Sequence, residues 1–464
     1  MPRKTKILLL IALAFPMLVS LACSISKKAP DPTATVPAPI IEQPAPVSEQ
    51  TEPATGQPQQ PLPELPTVPP TTDLLLLDDG MFYQKETTLV SVFKLLNTDP
   101  QYTLTNVSYD VRAYDAGGAE IETESGIINF IFPGETATVF SEIWLDEGVV
   151  IESVDVDWII GGKEEDSQLS NPFSVEVANH FKSYSSDIIT GILTNKDNVT
   201  YTDLTVVAVG YNSADDIIGG GSGYVDFVPA KDQLGFLLYA VLSETPARLE
   251  VYASVNSWST KLEGGDWWNN IQVVDWEFIS TDTGEVGGGM LLENITDQVI
   301  KDTQYNVTVF NEAGEVCEAR SGYIDLLWPG KQVGFSPGSI FPPEGEGCIP
   351  SKVDLIIMPG EFSDYELAAT PISVVSTTYK AEGFWPTVIV TLQNDLDKSI
   401  DNSSVSVLLF DDKGAIVGGG LAWPEAFEAN ATQEVEVFVT YNGTEAPFKV
   451  EAYPLIYTWT TFGD

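Results

Sequence analysis

The stretch YNVTVFNEAG, Tyr305 to Gly314, decides the fold. Tyr305, Val307 and Val309 alternate with polar residues, the period of two that sends successive side chains to opposite faces of a half-buried strand. Asn311 to Gly314 then offers a side chain that can hydrogen-bond its own backbone and a glycine free to take positive φ. Together these make a hairpin reversal. The same device stands at Val107, Tyr109, Val111 and Ala113 before Asp115 to Gly118, and at Val405, Val407 and Leu409 before Asp411 to Gly414. Asn212 to Asp216 is the corresponding turn between them.

Outward from this hairpin the chain repeats. Leu95/Asn97, Leu193/Asn195, Leu292/Asn294 and Leu392/Asn394 each read Leu, any residue, Asn, with the Asn positions 98, 99 and 100 residues apart. The pairs Tyr114/Asp115, Tyr211/Asn212, Phe310/Asn311 and Phe410/Asp411 put their Asx 17 or 18 residues after each Asn, and Pro133, Pro229, Pro329 and Ala429 follow 17 or 18 residues further on. Trp158, Trp258 and Trp459 close repeats one, two and four, where repeat three has Met358 and Pro359. Several landmarks kept in one order mean four copies of one small domain.

Units of about 95 to 100 residues, with turn signals every 8 to 12 and no convincing amphipathic helix, predict an all-β chain of four tandem Ig-like, seven-stranded antiparallel sandwiches. A unit of this size can bury its own core, so the expected arrangement is a string of beads. The expected segments are a signal peptide at 1–22, a disordered Pro/Thr-rich linker at 23–77, and repeats at 78–165, 166–263, 264–364 and 365–464.

The aromatic plus Asx before a Gly turn, the preceding Leu and Asn, the Pro/Gly turn and a following Phe (Phe140, Phe236, Phe335) resemble the FxLYD-type Ig-like domains of bacterial envelope proteins. The resemblance covers all four repeats, roughly four-fifths of the chain. Repeat four departs from it, with Ala429 and Asn430 in place of Pro/Gly. The family implies an extracytoplasmic β-sandwich and brings no catalytic residues.

The start of the chain gives an address. Arg3, Lys4 and Lys6 precede the apolar run Ile7 to Leu21, which is too short and too early for an ordinary transmembrane helix. Ser20, Leu21, Ala22 and Cys23 resemble a lipobox, in which cleavage leaves a lipid-modified Cys23 at the N-terminus; a plain secretory signal or a signal anchor is the blander reading. Several acyl chains exceed what stable anchoring needs. From Pro30 to Pro70 lie 13 of the 31 prolines. Such a stalk has too little apolar surface to order, and about 45 residues at roughly 3 Å each reach on the order of 100 Å.

A net charge of −45 repels nucleic acid and anionic headgroups. Its ordinary use is solubility; calcium binding or a cationic partner are the other readings. Beyond Cys23 the only cysteines are Cys317 and Cys348, both in repeat three. An isolated pair in an exported domain reads as a disulfide across the Pro337 to Pro350 insertion, closing about 30 residues for roughly 3 kcal/mol; two unpaired thiols are the alternative.

Chemistry has little to stand on. The single histidine, His180, lies in an N-terminal strand of repeat two and reads as structural. Gly219 to Gly223 has no lysine to make a phosphate cradle, and Gly418 to Gly420 is its counterpart in repeat four, so both read as strand or bulge. Carboxylates are too abundant to be diagnostic. Asp215/Asp216, Asp395/Asp397 and Asp411/Asp412 could offer oxygen ligands to calcium, but match no twelve-residue calcium loop and read as Asx turns. Trp267 and Trp268 could stack on a ligand such as a sugar, or pack between repeats two and three.

The expectation is therefore a non-enzymatic, extracytoplasmic lipoprotein of the cell envelope, an interaction or structural module with no cofactor and no resident metal. Its partners are the membrane, through lipidated Cys23, and an envelope protein or polysaccharide, with no nucleic acid and an open oligomeric state. The rival is a carbohydrate- or solute-binding lipoprotein serving a transporter or hydrolase. A large cleft between two lobes would favour the rival, and equivalent sandwiches without one the first.

Overall fold

The computed structural model describes residues 74–165, 170–182, 186–256, 259–262, 269–342, 348–364, 369–381, 385–443 and 445–463. The signal peptide, Cys23 and nearly all of the expected linker lie outside them. The described chain is all-β, in tandem antiparallel sandwiches.

Repeat one contains β1 (Leu75–Lys85), β2 (Thr88–Asn97), β3 (Thr103–Tyr114), β4 (Glu120–Ile131), β5 (Thr136–Trp144) and β6 (Ser153–Glu164). Repeat two contains β7 (Phe173–Lys182), β8 (Asp187–Asn195), β9 (Thr200–Tyr211), β10 (Ile217–Val228), β11 (Gln233–Leu242), β12 (Arg248–Val255) and the short β13 (Lys261–Leu262). Repeat three contains β14 (Ile271–Ser280), β15 (Val286–Asn294), β16 (Val299–Phe310), β17 (Val316–Leu327), β18 (Gln332–Phe335), β19 (Lys352–Met358) and β20 (Glu361–Ser363). Repeat four contains β21 (Ile372–Lys380), β22 (Thr387–Asn394), β23 (Ile400–Phe410), β24 (Ile416–Ala422), β25 (Thr432–Phe438), β26 (Thr440–Tyr441) and β27 (Lys449–Phe462). β1 begins at Leu75, inside the stretch expected to be linker: Leu75 is buried and pairs with Asn97.

Each repeat builds one sheet from its first, second and fifth strands and another from its fourth, third and sixth. In repeat two the fourth and fifth strands also pair, at Gly219 to Gly221, and join both sheets into one. Repeat one thus has six strands, and repeats two to four reach the expected seven by adding one short strand each, β13, β20 and β26, not counted in that order. The central hairpin strands run to 12 residues, so six strands use up most of the period and leave room for only a short seventh. The sandwich of repeat one closes on its own apolar core, for example Leu89, Phe93, Leu95, Val107 and Val156, while the cores of the later repeats also take in neighbours, Met358 in repeat two, Leu455 in repeat three and Val299, Leu326 and Trp328 in repeat four.

The Leu-x-Asn motif is a lock. Asn97, Asn195, Asn294 and Asn394 are all buried at the end of the second strand. Asn294 Nδ2 donates to the Gln298 and Leu327 carbonyls at 2.8 Å each, while its Oδ1 accepts the Thr296 amide at 2.9 Å. Asn97, Asn195 and Asn394 repeat the pattern, tying the loop after the second strand to the turn after the fourth. A buried amide is stable only when its donors and acceptor are satisfied, and these are.

The turns behave as their residues dictate. Asp115 Oδ1 accepts the amides of Gly117 and Ala119, and Asp411 Oδ1 those of Lys413 and Ala415. Gly118, Gly314 and Gly414 take positive φ, as does Asp215 in repeat two. In repeat four Asn430 adopts φ 54°, where Gly134 and Gly330 have 71° and 58°. The departure there is one of residue type, and the turn itself is kept.

The repeats form a stack, not the expected string of beads. The first-second-fifth sheet of each repeat packs face to face on the fourth-third-sixth sheet of the next. The reason is written on the third strand. Its outward positions are Asp110 and Arg112 in repeat one, whose face is uncovered among the described residues; in the other repeats they are Val207/Val209, Asn306/Thr308 and Ser406/Leu408, all uncharged and buried. Terminal units of a stack need polar outer faces, and inner ones do not.

Candidate functional site at the junction of repeats one and two

The three junctions close differently. Between repeats two and three, the Asn306 Nδ2 donates to the Gly235 carbonyl at 3.1 Å and the Gly235 amide donates to Thr308 Oγ1 at 3.0 Å, both buried. Between repeats three and four, β15 and β24 approach through glycines: a Cβ on Gly419 would stand 2.5 Å from the Gly288 carbonyl oxygen. The Ser336 amide donates to Ser406 Oγ at 2.8 Å beside them.

The first junction closes along one side only. Val92 of β2 packs with Val209, Tyr211 and Ile217 of repeat two, flanked by Met81 and Phe140, and Gly220 leaves the room that Val92 and Phe140 fill. Beside this patch Lys94 Nζ donates to Tyr211 Oη at 2.9 Å and to Glu250 Oε2 at 3.0 Å. Arg248 pairs with Glu250 and with Asp215. Burial alone would raise the Glu250 carboxyl, but hydrogen bonds from Tyr252, Tyr211, Lys94 and Arg248 outweigh it and hold the group at about 2. Burial likewise opposes charge on Lys94, and its bonds to Tyr211, Glu250 and Tyr252 push it up instead. This cluster is an electrostatic rivet between two repeats.

Beside the rivet the sheets part, leaving a cleft of about 1160 Å³ that Lys94 and Tyr252 border. A smaller hollow of about 460 Å³ shares Phe130, Phe132, Asn171 and Pro172 with it and continues the groove toward Tyr201 and Lys261. Repeat one contributes Tyr109, Phe130 and Phe132; repeat two contributes Phe173, Tyr224 and Tyr252. Phe130 and Phe132 are two apart on β4 and its end, so both rings lie on one side, 6.4 Å between centroids and 17° from parallel. Tyr224 is 73% exposed. Glu124, Glu135, Asn171, Ser222 and Asn256 supply polar groups between the rings. Burial, with Glu124 and Tyr224 nearby, raises the Tyr109 phenol to about 12 and keeps it a hydrogen-bond donor. Burial also raises Glu135, opposed by the backbone amide of Asn171.

The residues singled out in the sequence fall elsewhere. Cys23, Trp267 and Trp268 lie outside the described residues. Cys317 and Cys348 are brought together with Cα atoms 5.3 Å apart, both buried in the core of repeat three. His180 Nε2 lies 2.6 Å from Asp187 Oδ1, outside the cleft. Asp215 is taken by Arg248, Asp395 by Ser373 and Asp411 by its own turn. Among the described residues no three His, Cys, Asp or Glu side chains gather to hold a metal. Gly219 to Gly221 lie in β10 and Gly418 to Gly420 in β24, each where another strand or repeat comes close. Tyr224, Phe130 and Phe132 were missed because each reads as an ordinary strand aromatic; the break of alternation at Phe130-Ile131-Phe132 was the available signal.

No family model and no curated protein matches the chain. Among solved structures, the native conformation of alpha-2-macroglobulin from E. coli, seen by cryo-EM, is similar to 85% of this chain at 8% identity and a TM-score of 0.14. The chain spans 30% of that one, and a superposition this low carries no argument.

Proposed function

We propose that this chain is a non-enzymatic lipoprotein of the cell envelope: lipidated Cys23 holds it to the membrane, the proline-rich stalk lifts it, and the stacked FxLYD-like sandwiches present an interaction surface to an envelope protein or polysaccharide. The observation that carries the reading is the stack itself, which converts four small domains into one continuous body with a lined groove at the end nearest the stalk. The lone His180 bound to Asp187 away from that groove supports a binding role over catalysis. Cys317 and Cys348 serve as a disulfide that pins the insertion of repeat three. In the natural host, Cys23→Ala should move the chain from the detergent phase to the aqueous phase on phase separation. Retention in the detergent phase would refute the anchor.

The second reading, capture of a carbohydrate or solute for a transporter or hydrolase, is favoured by one specific feature. That feature is the cleft between repeats one and two, with aromatic faces on both walls.

A further inference from the structure

We propose that the groove between repeats one and two is a binding site for a neutral glycan chain, with Tyr224 and the Phe130/Phe132 pair as its stacking surfaces. The inference deepens the carbohydrate reading above and rests on it for the ligand class, though not on where the protein is anchored.

Three observations converge on it. First, among the described residues the first junction differs from the second in the side chains that close it. The outward positions that seal the second junction by hydrogen bonds, Asn306 and Thr308, are matched by Val207 and Val209 in repeat two. Val209 is sealed by the Val92 patch, whereas Val207 lines the open cleft. Secondly, the walls are amphipathic at the scale of a sugar. Tyr224 stands 73% exposed on one wall, and across from it Phe130 and Phe132 form a two-ring platform. Asn171, Ser222, Asn256 and Glu124 lie between. A pyranose presents an apolar C–H face and a rim of hydroxyls, which is what an aromatic platform edged by amides and carboxylates recognises.

Thirdly, charge restricts the class. The chain carries −45, and the groove as a whole is lined by the carboxylates Asp110, Glu124, Glu135, Glu164 and Asp197 against the lysines Lys94, Lys196 and Lys261, of which Lys94 is already engaged by Glu250. An anionic polymer is repelled from such a site, and an uncharged one is not. The smaller hollow continues the groove past Phe132, so the occupant is an extended chain and not a single small solute. Neither a nucleophile nor a general acid is required of these residues.

Affinity electrophoresis of the full chain tests this, with soluble neutral polysaccharides (β-glucan, mannan, xylan) or anionic alginate cast in the gel. The expected result is retardation by at least one neutral polysaccharide and none by alginate. Tyr224→Ala and Phe132→Ala should each weaken the retardation at least tenfold while exposed Trp459→Ala leaves it unchanged. Tyr224 is largely solvated, so its variant keeps the test valid if Phe132→Ala unfolds. No retardation by any of the neutral polysaccharides, or retardation insensitive to Tyr224→Ala, or equal retardation by alginate, would overturn the proposal. The Cys23→Ala fractionation is read separately, so failure of the glycan site and failure of the anchor are distinguishable.

Discussion

A single asparagine per repeat fixes more backbone than any core side chain. Asn294 satisfies two carbonyls and one amide from within the protein, and its removal strands those groups out of water. Asn294→Ala should therefore cost roughly 2 to 4 kcal/mol in chemical denaturation, against under 1 for an exposed Asn. A second residue-scale device repeats with it: Asn106, Asp203, Asp302 and Asn402 all take φ between 50° and 61° inside the third strand, where pairing with the fourth strand skips a position in the first three repeats. Left-handed backbone is tolerated by Asn and Asp and penalised in β-branched residues. Asn402→Gly should be near neutral and Asn402→Val should cost about 1 to 2 kcal/mol, read from the shift in denaturation midpoint. The Leu-x-Asn recurrence is plain in the sequence, but its role is not: periodicity marks a position, and only the fold shows which carbonyls surround it. The φ-positive Asx was hidden altogether, because Asn or Asp within an alternating strand looks like any polar outward residue.

At the scale of elements, strands and turns follow directly from alternation and Asx-Gly chemistry, which act within a few residues. Tyr305 to Gly314 forms the end of β16 and its turn just as the pattern requires. Strand count was harder to read in repeat one, since it depends on how long each hairpin runs. Packing between elements of different repeats was not legible either. Gly287 and Gly289 look like weak strand residues, yet a Cβ at Gly287 would lie 2.1 Å from the Thr440 side chain of the next repeat. Gly287→Val should therefore pry repeats three and four apart and uncover the side chains they bury in common, Val299, Leu326 and Trp328, seen as new protease cleavage near residue 364 with most of the β circular dichroism kept. The Cys317–Cys348 crosslink spans 31 residues; its reduction should lower stability by roughly 3 kcal/mol in the chain-entropy model, with the loss confined to repeat three in hydrogen exchange.

The whole molecule is a strongly acidic stack that buries some of its acids. Burial, with Arg320 partly opposing, lifts Glu318 to about 7, and burial with Asp302 alongside lifts Asp325 to about 6. Both folded values exceed the ordinary 4.5 and 3.8, so between about pH 4 and 7 the folded state holds protons that the unfolded state has released. Stability from these groups is full at low pH and is lost as pH rises toward 7. Glu250, held at about 2, acts oppositely: its contribution is present above about pH 4.5 and fades below. The melting temperature should thus peak at about pH 4 and fall toward pH 7.5; a profile rising from pH 4.5 to 7.5 in calorimetry would contradict these assignments. The stack itself was not foreseen, because a domain large enough to bury its own core gives no obvious sign that its outer faces are also covered. That sign existed in the contrast between Asp110/Arg112 and Val207/Val209. Zero-length carbodiimide cross-linking of the monomeric chain, mapped by mass spectrometry, tests the stack most directly. Face-to-face repeats with Lys94 3.0 Å from Glu250 predict an intramolecular Lys94–Glu250 link as a major product, lost in Lys94→Gln. Recovery of only intra-repeat links, with Lys94 unmodified, would mean that the repeats hang as separate beads and that no groove lies between the first two.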